Sequence, residues 1–157
     1  MNYDPMKVVL AEDELGVVIR SHLYIEAALD ELISLLLIFP EELEKMNLTF
    51  ANKVRLACAA GFDKDYKSML LALGSIRNKF SHNVDTKLDQ ALVRDLHSKL
   101  NEISREHLPE ALRAVAGEKE VKPFNQHHPR DQFSALAISL WTVLNLAIRE
   151  VKEHRGA

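Results

Sequence analysis

The stretch DKDYKSMLLALGSIRNKFSH, residues 63–82, decides the fold class. Met69, Leu73, Ile76 and Phe80 recur at spacings of four, three and four, the period of one buried helix face. Asp63 stands where an N-cap is needed, and Asn83 and Asp85 mark a turn at the far end. With Ile76 as zero and 100° per residue, Met69, Leu73 and Phe80 lie within roughly 60° of it. Gly74, Ser81 and Asn78 gather on the other side, at roughly 140–200°. The spacing predicts a helix with an apolar face toward its own domain and a small, polar face pointing away. Gly74 on that second face lets another backbone approach closely.

Outward from this helix the same period continues. Leu15, Val18, Ile19, Tyr24, Ile25, Leu29, Leu32, Ile33, Leu36 and Leu37 form a wide stripe between about Asp13 and Ile38. Pro40 ends that helix and opens the short piece EELEKM. Thr49 caps a second main helix through Phe50, Val54, Leu56 and Ala60, closed by Gly61. A fourth helix carries Leu88, Leu92, Leu96, Leu100 and Ile103 inward and runs on, or kinks near Pro109, to Gly117. Residues 117–130, GEKEVKPFNQHHPR, are the long polar connection, after which Asp131 caps a last helix to about Glu153. That helix is apolar nearly all round, so it is central in the bundle or shared with another subunit. The reading is one all-α domain over residues 1–157, with about five long helices.

Composition narrows the function classes. The chain has 157 residues, 47% of them hydrophobic and 27% charged, an ordinary soluble globular balance. A net charge of -3 gives no global attraction to polyanions, so a nucleic-acid site has to be a local basic patch. The single cysteine, Cys58, rules out an internal disulfide and fits a reduced, cytoplasmic setting. MNYDPMKVV does not read as a secretory leader, and the uncharged run Phe133 to Ile148 is short for a membrane span.

The chemistry is concentrated in IRNKFSHN, residues 76–83. Arg77-Asn78-x-x-x-His82, late in a helix of a small all-α domain, resembles the HEPN superfamily, whose signature is arginine, four to six residues, then histidine. Fixing asparagine after the arginine and the spacing reduces chance occurrence in a chain this long to under ~1%. FANKVRLACAAGF, DYKSMLLALGSIRNKFSH and the earlier SHLYIEAALDELISLLL are also similar to members of the mannitol operon repressor family. The resemblance spans about residues 20–85.

That resemblance implies a HEPN-like bundle, a homodimer and metal-independent RNA cleavage by the RNA's own 2′-hydroxyl. In-line attack needs a base, an acid on the opposite side and positive charge at the phosphorane. His82 suits the proton transfers near neutral pH. Arg77 offers a planar, permanently charged fork to two phosphate oxygens. Asn78, four residues before His82, can orient it. On a straight helix Arg77 and His82 diverge by roughly 140°, so they converge only if the helix ends or unwinds near Ser81, or if a groove lies between them. One histidine cannot readily serve both sides of a phosphate, whereas two copies in a shared cleft can.

Lys53, Arg55 and Lys79, with Lys87, are candidate phosphate contacts at the rim, and Ser81 shares the polar face. A scatter of solvated charges is the plainer account of these lysines. His22 and Glu26, four apart, read as an exposed pair, with Glu26 a candidate support for the cleft. His97, His107 and His154 read as surface residues. His127-His128 lack neighbouring cysteines or spaced acids and make poor metal ligands, so neither metal nor cofactor is expected. The loop that holds them, with Arg130, is placed to reach the cleft. The alternative function is a non-catalytic regulator of the mannitol operon repressor type, binding a protein partner such as a regulator or antitoxin through the polar face.

Overall fold

The computed structural model describes residues 9–117 and 122–156, and among them there are helices, turns and loops but no strand. The Asp13 carboxylate accepts the Gly16 amide at 2.7 Å and opens α1, Glu14–Leu36. Pro40 starts a 3-10 helix, Pro40–Met46, and Thr49 accepts the Asn52 amide to open α2, Phe50–Ala59. Gly61, at φ +118, makes the turn that other residues disfavour. Asp63 caps a short 3-10 turn, Lys64–Tyr66, out of which α3, Lys67–His82, continues. After it come α4 (Gln90–Ser98), α5 (Glu102–Ala116) and α6 (Pro129–Arg155).

The fold is an all-α bundle, with two departures from the sequence reading. The predicted fourth helix is two helices. Asn101 accepts the Ser104 amide at 2.9 Å and starts α5 afresh. The Arg105 guanidinium meanwhile binds the Leu100 and Ser98 carbonyls left over at the end of α4. The apolar period through Leu88, Leu96 and Leu100 therefore stops being helical phase at the break, and Ile103 emerges 60% exposed. Pro109 sits inside α5, and Gly117 at φ +65 ends it. The second departure concerns α6. His128, not Asp131, is its N-cap, with Nδ1 accepting the Arg130 amide at 3.2 Å. Pro129 supplies the fixed φ of the first helical position, and Asp131 falls within the first turn.

α1 and α6 form the central pair, and α5 packs on α6. α2 and α3 lie against α1 and against each other, and α4 bridges α3 to α6. The core between them contains Ile25, Leu29, Leu32 and Ile33 of α1, Leu70 and Leu73 of α3, and Phe133, Leu136 and Leu140 of α6. Polar contacts fix both ends of the central pair. Arg130 donates to the Glu12 and Leu10 carbonyls just before α1, and Lys152 pairs with Glu31 at 2.6 Å near its far end. α6 is long and apolar enough, by length and composition, to cross a membrane, although the shorter uncharged run argued against a span. Here it packs against α1, α4 and α5, and 39% of its most apolar window is buried within the fold.

The break between α4 and α5 is expected to depend on its cap. Asn101→Ala should destabilise the protein by about 1 kcal/mol in urea unfolding, with little change in helix content.

Candidate functional site

α3 places its motif at the surface because its apolar face is used up inside. Met69, Leu73, Ile76 and Phe80 are all buried against the core. Asn78, Lys79, Ser81 and His82 are exposed, and Arg77 is half-buried beside them. The helix stays intact through His82. Asn83 caps it with its amide on the Lys79 carbonyl, the Thr86 hydroxyl donates to the same carbonyl, and Asn83 Oδ1 accepts the Asp85 amide. No unwinding at Ser81 turns Arg77 toward His82, so one chain's two side chains keep the divergence of a regular helix.

Asn78 does a different job from the one its spacing suggested. Its Oδ1 accepts from Arg77 Nη1 at 2.9 Å, so it positions the arginine rather than the histidine. The Ser81 hydroxyl donates to the Arg77 carbonyl at 3.0 Å. The His82 ring has no hydrogen-bond partner among the described residues.

Gly74 is the main correction on the predicted outer face. It is buried, and the Phe50 ring of α2 lies where a side chain would stand: an added Cβ would come within 2.7 Å of Phe50 Cδ1. The close approach that glycine permits is thus made by this chain's own aromatic ring. Only Asn78 and Ser81 of that face stay open to solvent.

On its other side Phe50 covers His22, with ring centroids 4.4 Å apart. His22 is 1% exposed rather than at the surface, and neither ring nitrogen has a hydrogen-bond partner. Glu26 Oε2 lies 3.6 Å from Nδ1, beyond hydrogen-bond reach. Burial, with Arg77 nearby as the second cause, pushes the His22 pKa down to about 4, against the opposing pull of Glu26. The imidazole is therefore neutral near pH 7. No sequence signal marked it, because Phe50 arrives from 28 residues away. What a heptad count shows as an exposed i,i+4 pair is closed over by a neighbouring helix.

The rim residues divide. Lys53 binds Glu26 at 2.9 Å and Asp30 at 2.8 Å, which fastens α2 to α1. Burial alone would lower its pKa, but the hydrogen bonds it donates to the Asp30 and Glu26 carboxylates outweigh that and raise its pKa above the ordinary value. Arg55 donates to Asn52 Oδ1 at 3.1 Å on the exposed side of α2. Lys79 and Lys87 are solvent-exposed. The 117–130 connection carries structural histidines. His127 is buried with Nε2 against the Lys122 carbonyl, and His128 caps α6. His97 is stacked on Phe124 rather than free at the surface. Residues 118–121 of the connection lie outside the described residues. Arg130 is committed to the carbonyls before α1. Among the described residues no three His, Cys, Asp or Glu side chains group as a metal site.

Two measurements test this packing. Gly74→Ala should cost about 1–3 kcal/mol by forcing the Phe50 ring aside, and markedly less in a Phe50→Ala background. The second is the pH dependence of stability. The folded pKa of His22 lies below its unfolded value, so the unfolded chain takes up the proton first as pH falls from about 6.5 to about 4. The stability tied to neutral His22 is fully present above pH 6.5 and is lost through that window. His22→Leu should flatten the loss by about 3 kcal/mol at its acid end, measured by urea unfolding against the wild type. Compared with models of known protein families, with curated proteins and with solved structures, the chain finds no match.

Proposed function

We propose that the protein is an RNA-binding, HEPN-type domain that cleaves RNA without metal, in a cleft shared by two copies. The observation that carries this is the end of α3. Arg77, Asn78, Ser81 and His82 sit at the surface, Arg77 already oriented by Asn78, and His82 without an internal partner among the described residues. A capping role would consume the His82 ring, and here the capping is done by Asn83 and Thr86. Exposed Lys79 and Arg55 add local positive charge on a chain that is acidic overall.

The intact helix shapes the mechanism. Arg77 and His82 of one chain diverge, so a single phosphate draws on both copies, with a His82 from each on opposite sides of the phosphorus. The 2′-oxygen attacks phosphorus and gives its proton to one His82 acting as base. The bond from phosphorus to the 5′-oxygen breaks as the second His82, in its protonated form, donates to that leaving oxygen. Arg77 balances the charge that gathers on the non-bridging oxygens. The products are a 2′,3′-cyclic phosphate and a free 5′-hydroxyl.

A second reading has one observation in its favour. The Arg77–Asn78 bond rests beside the closed cluster of His22, Glu26 and Lys53, which suits a rigid protein-binding face of a non-catalytic regulator. The test is incubation of the purified chain with a pool of single-stranded RNA in chelator. Cleavage with cyclic phosphate ends, reduced at least 100-fold by His82→Ala or Arg77→Ala, is the expected outcome. A folded protein that leaves the RNA intact would instead favour the regulator.

A further inference from the structure

The His22 ring is buried at 1% exposure, and neither of its nitrogens has a hydrogen-bond partner. A polar atom left unpaired at that depth is destabilising and calls for an explanation. Three helices close over the ring, and each brings a charged group to it. From α1, Glu26 turns Oε2 toward Nδ1 at 3.6 Å while its Oε1 takes Lys53. From α2, Lys53 is committed to Glu26 and Asp30. From α3 comes Arg77, one turn beyond Gly74. The Phe50 ring lies against Gly74 on one side and His22 on the other. Arg77 is half-buried, and its bond to Asn78 Oδ1 uses Nη1. A guanidinium has N–H groups to spare after one such bond.

We infer that His22 is an inner station for the Arg77 guanidinium, which moves between Asn78 at the surface and the buried imidazole. Glu26 sets the tautomer. Closing the 3.6 Å gap lets Nδ1–H donate to Oε2, which leaves Nε2 without a proton and able to accept from Arg77. A cationic donor needs a neutral ring, and burial together with the Arg77 charge keeps this one neutral near pH 7. The Glu26 carboxylate also offsets the charge carried inward. Lys53 cannot take that place, because its ammonium holds the two carboxylates that fasten α2 to α1.

The two stations differ in what they offer a ligand. Held by Asn78, the guanidinium is presented at the tip of α3. Held by His22, it is withdrawn from any phosphate there. Asn78 therefore acts as a positioning residue that competes with His22 for the arginine, and an oxyanion at the tip pulls the same way as Asn78. This control of the motif rests on the cleavage reading, whereas the movement of the arginine does not.

The test is nitrogen NMR near pH 7 on the full chain labelled in its histidine rings. The His22 signals are assigned by their loss in His22→Leu. Asn78 is exposed, so the fold should tolerate Asn78→Ala. With the outer acceptor gone, the His22 Nε2 resonance is expected to move upfield as it takes the bond from Arg77. Adding Arg77→Met should return it to the wild-type position. A resonance that stays put in Asn78→Ala, or a shift that survives Arg77→Met, overturns the inner station. In RNA cleavage, Asn78→Ala should lower the rate about tenfold and His22→Leu should restore it in that background. A merely structural Asn78 would gain nothing from the loss of His22, so a loss without rescue overturns the control of the motif. A wild type that leaves RNA intact removes the cleavage reading alone, and the nitrogen shift still decides the inner station.

Discussion

The packing of α6 along α1 is the contact on which the other elements depend. Both helices bring branched and aromatic side chains to it, Ile25, Leu29 and Leu32 from α1 and Phe133, Leu136 and Leu140 from α6, and all of these are almost wholly buried. Each such side chain contributes about 1.5–3 kcal/mol on leaving water. The pair also has little freedom to slide. Arg130 holds the backbone before α1 at one end, and the Lys152–Glu31 pair lies near the other. The exposed ion pair adds little energy and chiefly fixes register.

On this pair α2 and α3 are mounted by one aromatic ring. Phe50, in the first turn of α2, lies between Gly74 of α3 and His22 of α1. Lys53, one turn on, binds Glu26 and Asp30 and closes the same junction from the polar side. The result is an arginine-bearing helix end whose support is rigid and whose tip is wet. Arg77 faces two ways: its guanidinium donates to Asn78 Oδ1 at the surface, and its charge reaches inward far enough to disfavour a proton on His22.

The polar tip of α3 and the apolar groove beside α5 are at opposite ends of the same helix, and they differ in what they can recognise. The tip offers hydrogen-bond donors, charge and an imidazole without a side-chain partner among the described residues. The groove offers apolar area bounded by charged side chains. The polar and the apolar surface of the chain thus lie on separate faces.

The sequence by itself determined the helices and most of their ends. Asp13, Thr49, Gly61 and Gly117 act within four residues of themselves, so their effect is legible in a single stretch. The exposure of Asn78, Ser81 and His82 followed from the same local geometry. Tertiary structure decided what depends on distant residues. Phe50 filled the space over Gly74 and buried His22, two carboxylates from α1 took Lys53, and Arg105 helped to break a run of leucines that looked continuous. Periodicity shows that a face is apolar, small or polar. Which neighbour covers that face is settled only when the helices pack, because the covering atoms come from elsewhere in the chain.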